Sequence, residues 1–502
     1  MKKVIYTIIL IIGIVFTQCN DYLDKVPDNR AVIDNADAIK ELLVAAYPSS
    51  SYIAFCEQMS DNAEDKGIRR GQGESREIDA YEWNEFQEIN QDTPTHYWNA
   101  CYRAIATANQ AIVSIKEIGE DSPEMKPILG EALICRAYAG YMLASIFCNT
   151  YNPTSADKDL GIPYPKTPGK VVFGKFERGT LAETFNLIKE DIENGIELIE
   201  NTYSAPRYHF TKEAAGAFAA RFYQTIGDWD QVIKYSTQAL GESPAVVLRA
   251  WNNPQTYVIY TYDELKDTYT SSSEEANLLL ISVASWWGRK FSGTRFGLTS
   301  QLQDSLFRRN NPLGLQYAFR VFGRDTYRNI PKMKEYFKYS SLNTTTGVGY
   351  IMLPAFTAEE ALFNRAEALV MKGEYAQAIN DLNIWLSKRI RNYHATDNQT
   401  LDDEKIFSFY TPEKIQKFNT FYPIENKKRP YIQCILDMRR TEFMHEGLRW
   451  FDIKRMGLPV THIRKSGSND EETVLNLTEN DLRKAVQIPQ DAQSFGIEAN
   501  PR

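Results

Sequence analysis

The sequence lacks the residue patterns that hold metals, bind phosphates or perform hydrolysis. No two of its six cysteines form a CxxC pair. His445 begins an HEGLR segment that lacks the second histidine of the zinc-binding pattern HExxH, so no i, i+4 pair could hold the metal. The GQG segment at 71–73 is too short for a phosphate loop. We therefore predict no metal site, no cofactor and no catalytic residue.

The chain also lacks a net positive charge. Its formal net charge is −8, and removal of residues 1–18, which contain Lys2, Lys3 and no acidic residue, would make it −10. Binding to nucleic acid depends on a net basic surface that neutralises phosphates. We therefore predict no nucleic-acid partner. The 65 acidic residues leave room for a glycosidase pair, but nothing in the sequence brings two carboxylates together.

Long hydrophobic runs are absent after the first sixteen residues. Residues 4–16 are apolar and follow Lys2 and Lys3, and thirteen residues make about 20 Å of helix, which is too short for a hydrocarbon core of about 30 Å. A basic start and a short apolar run are typical of a secretory signal. Cys19 stands where such a signal would be cleaved.

This N-terminal pattern resembles a bacterial lipoprotein signal. We predict a signal peptide over 1–18, lipidation of Cys19 and a polar tether over 19–30, so that acyl chains hold the protein at a membrane. The alternative is an ordinary signal with an incidental cysteine. Five cysteines remain after Cys19, an odd number, and we expect buried free thiols; a disulfide framework is the alternative.

Helical periodicity dominates the body of the chain. Apolar residues recur at spacings of three and four over 97–115 and 128–147, and residues 31–47 are predicted to form a first helix. Thr180, with Glu183 three residues later, has the pattern of a capping box for a helix that runs to about Glu200.

Two segments share the pattern of a tetratricopeptide-like helix pair. Residues 219–240 and 365–386 each contain an apolar helix, a glycine and an aromatic residue two places later, namely Gly227 with Trp229 and Gly373 with Tyr375. Glycine permits the tight turn between the helices. The glycines are 146 residues apart, so these pairs would be separated by large insertions. A chance likeness of two helical hairpins is the alternative.

These patterns predict a mostly α protein in which tetratricopeptide-like helix pairs form a scaffold. We expect one body over 31–502, with an N-terminal helical part at 31–240, a loop-rich insertion at 241–355 and a C-terminal part at 356–502. The insertion is rich in Ser, Thr, Asn, Gly and aromatic residues, as is 390–432. It should form a face of irregular structure and short strands, which is a common way to build a binding surface.

The segment DMRRTEFMHEGLRWFDIKRMG at 437–457 resembles the signature of the SusD/RagB family, E-R-x-x-E-x-x-x-E-G-x-R-W-F-D-x-x-R-x-G. Asp437 and Thr441 depart from it. Further likenesses are CNDYLDKVP, YWNACYRAIATAN and EALICRAYAGYMLASIF. The positions that match the signature are Glu442, Glu446, Gly447, Arg449, Trp450, Phe451, Asp452, Arg455 and Gly457.

The resemblance implies a surface-exposed, lipid-anchored protein of the outer membrane in a Bacteroidota-type bacterium. Such proteins are not enzymes; they bind glycans and deliver them to a SusC-like TonB-dependent transporter. Some members serve peptide import, so a peptide ligand is one alternative, and a surface carbohydrate-active enzyme is another.

Within the signature, charged residues alternate with apolar ones at helical spacing, and we predict one helix over 437–457. We interpret Glu446, Arg449, Asp452 and Arg455 as a structural network of ion pairs beside a packed Trp450. A ligand site made by the same charges is the alternative.

Two pairs of aromatic residues are candidates for ligand contacts. Trp286 and Trp287 are adjacent, and in a strand they would point to opposite faces, so both could be buried only if both faces were covered. A glycine-rich loop follows them. Tyr81 and Trp83 follow the polar loop at 61–80. Because sugars have apolar C–H faces, aromatic rings at such loops could bind a glycan.

The lipidation of Cys19 can be tested by metabolic labelling. We expect a fatty-acid analogue to label the wild-type protein and not the Cys19→Ala variant, because the thiol is the acceptor. Equal labelling of both proteins would show that Cys19 is not the anchor.

Overall fold

The computed structural model describes residues 33–119, 122–168, 177–341, 344–467 and 469–502. The predicted signal peptide, Cys19 and the tether lie outside these ranges. The helices are α1 (Ala36–Leu43), α2 (Ile53–Met59), α3 (Ser75–Tyr81), α4 (Pro94–Ile118), α5 (Met125–Phe147), α6 (Leu181–Ile196), α7 (Lys212–Ile226), α8 (Trp229–Leu240), α9 (Pro244–Val247), α10 (Tyr262–Tyr269), α11 (Trp287–Lys290), α12 (Ser300–Phe307), α13 (Ala358–Lys372), α14 (Tyr375–Arg389), α15 (Asp403–Phe409), α16 (Arg429–Glu442), α17 (Leu448–Met456) and α18 (Gln490–Ser494).

In the described part of the chain there are also seven strands: β1 (Glu64–Asp65), β2 (Asn277–Ala284), β3 (Phe296–Gly297), β4 (Glu335–Tyr339), β5 (Gly347–Thr357), β6 (Val460–Ser466) and β7 (Glu471–Leu477). Helices account for 48% of the described residues and the strands are short, which confirms the prediction of a mostly α fold. Helix α1 is shorter than the predicted 31–47, because a 3-10 turn over Val44–Ala46 ends it.

The predicted helix pairs are present, and their glycines make the turns. Gly227 and Gly373 adopt left-handed φ angles of +75° and +87° between α7 and α8 and between α13 and α14. Such a residue lets the next N–H bond back to the helix, as Glu374 does to the carbonyl of Leu369 at 2.8 Å. Helix α8 packs directly on α13, so two pairs far apart in sequence form one stack.

The capping box predicted at Thr180 is also present. The Thr180 hydroxyl accepts the N–H of Glu183, and the Glu183 carboxylate accepts the N–H of Thr180 at 2.8 Å. This exchange satisfies two N–H groups that have no partner inside a helix. Helix α6 begins at Leu181 as expected and ends at Ile196.

The insertion at 241–355 contains an antiparallel sheet with the strand order β2-β5-β4. Strand β2 is buried on both faces for most of its length, which explains its continuous run of apolar residues. Strand β5 leads without a loop into α13, where the Thr357 hydroxyl caps the helix. The sheet is therefore joined directly to the helical scaffold, and β4 is its outer strand.

One hydrophobic cluster runs through the molecule from Ala36 to Ala492. A much smaller cluster contains Ala63, Tyr81 and Phe296. Five cysteines lie within the described ranges, and all are buried and unpaired: Cys56, Cys101, Cys135, Cys148 and Cys434. This confirms the prediction of buried free thiols.

The signature segment corrects the prediction of one continuous helix at 437–457. Helix α16 ends at Glu442 and α17 begins at Leu448. His445 and Gly447 between them have φ angles of +71° and +72°. Their N–H groups donate to the buried carboxylate of Glu57 at 2.6 and 3.0 Å. Burial raises the pKa of Glu57 to about 7, although these two hydrogen bonds lower it.

Gly447 is also required by close packing. A Cβ atom at this position would lie 3.0 Å from the Cα and the carbonyl oxygen of Ile53 in α2. Backbone atoms cannot move aside as a flexible side chain can, so the turn needs glycine both for its φ angle and for space.

The charged residues of the signature lie in buried ion pairs. Arg449 pairs with Asp61 at 2.8 Å, and Glu446 pairs with Lys332 at 2.6 Å. Asp452 accepts from Arg455 at 2.9 Å. Each pair except Arg455–Asp452 joins the signature to a distant part of the chain. Further contacts of the segment are Arg439 with Asp452, Arg455 with Glu367, and the fully buried ring of Trp450.

A row of alternating charges forms the centre of the scaffold, and we call it the ionic ladder: Arg249, Glu359, Arg389 and Glu442. Their ion-pair distances, in that order, are 2.8, 3.0 and 2.6 Å. All four side chains are at most 1% exposed. Burial alone would raise the pKa of Glu442, but the charge of Arg389 and the hydrogen bonds of the site outweigh it and lower the pKa.

Removal of one member of the ladder should destabilise the fold strongly. Arg389→Met leaves the buried carboxylate of Glu442 without its ion-pair partner and removes one of the two arginines that pair with Glu359. We therefore expect a loss of about 3–5 kcal/mol in the free energy of unfolding. Urea unfolding followed by circular dichroism measures it.

Lys372→Met is the matched control. It breaks the exposed ion pair between Lys372 and Asp230, so it should cost at most about 1 kcal/mol. Equal losses in the two variants would contradict a structural role for the ladder.

Candidate functional site

Tyr81 and Trp83 do not form a surface platform. The ring of Tyr81 stacks between Phe296 and His462, with centroids 4.1 and 4.0 Å away. Trp83 stacks on the same histidine at 4.5 Å, and its indole N–H donates to the carbonyl of Met59. Both side chains are at most 5% exposed. This placement corrects the expectation that they contact a ligand, because their faces are already covered.

Trp287 is likewise part of the core. Strand β2 ends at Ala284, so the expected alternation of two tryptophans across a strand is wrong. Trp287 is the first residue of α11, is 2% exposed, and donates its indole N–H to the carbonyl of His445 at 2.9 Å. It packs against the turn of the signature and is unavailable to a ligand.

Trp286 lies at the edge of the protein and is half-buried. Its backbone N–H donates to the Asp92 carboxylate at 2.7 Å, which fixes the start of α11. The guanidinium of Arg76 lies 4.4 Å from the centroid of its indole ring. Arg76 is itself buried, and its guanidinium donates to Glu74 and to the carbonyl of Gln91. This cation–π contact covers part of the indole, so the rest of the ring is the part that is open to a ligand.

Next to Trp286, strands β4 and β5 form a hairpin with exposed aromatic residues. Side chains alternate between the two faces of a strand. Phe337 and Tyr339 therefore share the face that Glu335 occupies. They are 46% and 61% exposed, and their ring centroids are 5.0 Å apart. We call this surface the hairpin face, made of Trp286, Arg289, Glu335, Phe337 and Tyr339.

Two glycines on β5 make room for the hairpin face. Gly349 pairs with Phe337 and Gly347 pairs with Tyr339 across the strands. A Cβ atom at Gly349 would lie 2.2 Å from the Glu335 carboxylate, and one at Gly347 would lie 2.7 Å from the Phe337 ring. Without side chains on β5, those of β4 can lie over its backbone.

Charged groups accompany the aromatic rings. Arg289 pairs with Glu335 at 3.2 Å, and the side chain of Arg289 is 57% exposed. Burial raises the pKa of Glu335. Guanidinium and carboxylate groups donate to and accept from hydroxyls. The combination of apolar rings with charged edges is chemically suited to a saccharide, which has apolar C–H faces and hydroxyl edges.

Of the predicted ligand contacts, only Trp286 lies on the hairpin face, where its role stays a prediction; the sequence analysis did not consider the other four residues of this face, Phe337, Tyr339, Arg289 and Glu335. A signal was present, since EYFKY and GVGYI have the residue composition of two strands, and glycines at alternate positions leave one face of β5 bare. Only the register of the hairpin, however, shows which aromatic residues lie over those glycines.

Neither a metal centre nor a membrane span is found in the described part of the chain. No group of three or more His, Cys, Asp or Glu residues there could hold a metal ion. None of its helices is both long and apolar enough to cross a bilayer.

Solved structures share this fold over nearly its whole length. A SusD superfamily protein from Bacteroides thetaiotaomicron has 20% identity and a TM-score of 0.64, with 94% of this chain and 100% of that chain covered. A SusD-like carbohydrate-binding protein from Bacteroides vulgatus has 15% identity and a TM-score of 0.61, with 92% and 96% covered. A protein described in the same words, from Bacteroides fragilis, has 15% identity and a TM-score of 0.59, with 92% and 98% covered.

Family comparisons agree with the fold. No protein of curated function matches the sequence. The SusD-like family described as starch-binding and associating with the outer membrane matches residues 21–224. The SusD family matches residues 183–495, more than half of the chain, and this match includes the signature and the hairpin face. The protein therefore belongs to the SusD/RagB family.

Proposed function

We propose that the protein is a surface-exposed lipoprotein of the outer membrane that binds a glycan and delivers it to a SusC-like TonB-dependent transporter. The observation that carries the proposal is the hairpin face, where exposed Phe337 and Tyr339 lie near Trp286 and a charged pair. The N-terminal lipoprotein pattern and Cys19 support attachment by acyl chains.

The physical basis of binding would be stacking of sugar rings on the aromatic side chains. A sugar that covers a large aromatic surface gains about 1.5–3 kcal/mol per ring from apolar burial. Hydroxyls at the sugar edge would bond to Arg289 and Glu335. The carbohydrate-binding descriptions of the relatives from B. vulgatus and B. fragilis agree with this ligand class.

We propose binding without cleavage. A glycosidase needs two carboxylates about 5–10 Å apart around the bond that it cleaves. The hairpin face has one carboxylate, Glu335, and Arg289 neutralises it. We propose that the Arg289–Glu335 pair orients a ligand by hydrogen bonds. A general acid, by contrast, would have to hold a proton and release it to the leaving group.

A peptide is the second candidate ligand, and the sheet provides the reason. Strand β4 is an outer strand in the order β2-β5-β4, so among the described residues no further strand pairs with its far edge in this sheet. An extended peptide could add to such an edge through main-chain hydrogen bonds. A peptide would then depend on the backbone of β4 more than on its aromatic side chains.

Alanine variants of the hairpin face test the proposal against a glycan and peptide panel. For a neutral glycan that binds the wild type, Trp286→Ala and Phe337→Ala should each weaken affinity about tenfold to a hundredfold, because each removes one stacking surface. Calorimetric titration measures the affinity, and analysis of the reaction mixture for sugar products tests for cleavage.

Phe407→Ala is the control, since Phe407 is also an exposed aromatic residue, 41% exposed, but lies on α15. It should bind as the wild type does. If the two hairpin variants keep full affinity for every glycan, the site is elsewhere. If only peptides bind, or if the sugar is cleaved, the proposed ligand or the absence of catalysis is wrong.

The transporter partner can be tested on native membranes. Mild detergent extraction should recover the protein with a large outer-membrane β-barrel, as expected for a member of this family. Recovery of the protein alone, under conditions that preserve related complexes, would contradict the proposed delivery step.

A further inference from the structure

A large groove lies away from the hairpin face. It has a volume of about 730 Å³ and is bounded by three segments, 250–258, 316–322 and 387–393. A second cavity of about 460 Å³ adjoins it and shares Gln316, Phe319 and Val321 with it. None of the five residues that define the hairpin face lines either cavity. The two cavities together could accommodate several sugar units.

The groove is positively charged although the protein is acidic. Its cations are Arg320, Lys388 and Arg391, and the adjoining cavity adds Arg308 and Arg309. Among the described residues that line the two cavities there is no aspartate or glutamate. The whole chain has a net charge of −8, whereas the lining of these cavities has an excess of positive charge. This local positive charge favours a negatively charged ligand.

Carboxylates neutralise few of these charges. Arg308 pairs with Asp304 at 2.6 Å. Arg320 donates to the backbone carbonyls of Tyr257 and Tyr260, which fix its guanidinium without cancelling its charge. In the described ranges, no carboxylate forms an ion pair with Arg320, Lys388 or Arg391. The charges at this groove are therefore available to a ligand.

Polar and aromatic side chains lie between the cations. Gln316 and Asn392 are exposed, and an amide can both donate to and accept from a hydroxyl. Phe322 and Tyr393 are half-buried and line the same groove. This mixture of amides and partly exposed rings suits a saccharide, and the cations suit acidic groups on it.

We propose that this groove is a second binding site and that its ligand is an acidic oligosaccharide, with uronate carboxylates or sulfate esters placed against Lys388, Arg391 and Arg320. The saccharide class rests on the proposed function, whereas the negative charge follows from the groove alone. Cations and acidic groups form charge-assisted hydrogen bonds, which are about twice as strong as neutral ones.

The test uses a double variant that removes two charges from the groove, Lys388→Gln with Arg391→Gln. The probes are a hexamer of galacturonic acid, a sulfated dextran oligosaccharide, neutral dextran of the same length and a poly-glutamate peptide. We expect at least one acidic sugar to bind the wild type, at least about tenfold weaker binding to the variant, and loss of binding at high salt.

The matched control is Lys116→Gln with Lys126→Gln, which removes two exposed charges near the adjoining ends of α4 and α5. It should bind acidic sugars as the wild type does, and both double variants should melt at the wild-type temperature, because all the substitutions are at exposed or half-exposed positions. An equal loss of binding in the control would show a general effect of charge and overturn the proposed site.

The two sites can be distinguished by one further variant. Trp286→Ala should keep its affinity for the acidic sugar at the groove. Failure of both acidic sugars to bind the wild type overturns the groove proposal and leaves glycan binding at the hairpin face standing. Binding of poly-glutamate in preference to both sugars would overturn the ligand class, since the partner would then be an acidic peptide.

Discussion

The buried ionic ladder is the constraint on which the rest of the structure depends. Arg249 lies near the start of the loop-rich insertion, Glu359 and Arg389 lie on one helix pair, and Glu442 ends α16. A buried charge is costly unless a partner holds it, so these four positions can hardly move apart. Arg249 also donates to the side chain of Asn277, the first residue of β2. The ladder thus fixes the sheet of the insertion to the helices.

The sheet transmits this rigidity to the proposed binding surface. Strand β5 pairs with β2 near the scaffold and with β4 at its outer end. Its inner half is buried and its first two residues are exposed. The hairpin face therefore stands on a fixed base while its aromatic rings reach solvent. Many proteins place their binding residues on connecting segments and keep the scaffold packed. This arrangement is common because surface segments tolerate changes of sequence.

The sequence predicted what depends on local patterns. Helix periods, the capping box at Thr180 and the glycine turns at Gly227 and Gly373 all involve residues within a few positions of one another. Prediction from the sequence was wrong where contacts with residues far away in the chain determine the local structure. The helix at 437–457 breaks because Glu57, 388 residues before His445, accepts the N–H groups of the turn.

The aromatic candidates show the same limit. Trp83 and Tyr81 follow a polar loop, which suggested exposure, but His462 stacks on both rings from a strand near the C-terminus. Trp287 is covered by the turn at His445. Trp286 is half-buried: Asp92 accepts its backbone N–H, and Arg76 covers only part of its ring. Burial at these positions is a property of the tertiary contacts.

The central claim is that a rigid helical scaffold presents the glycan site on the hairpin face. Hydrogen exchange of the protein, with and without a saturating glycan that it binds, tests this claim most directly. The account predicts slower exchange in α11 and the β4–β5 hairpin on binding, with no change in the already protected helices α13 and α14. Protection confined to other segments, or a large change in α13 and α14, would contradict it.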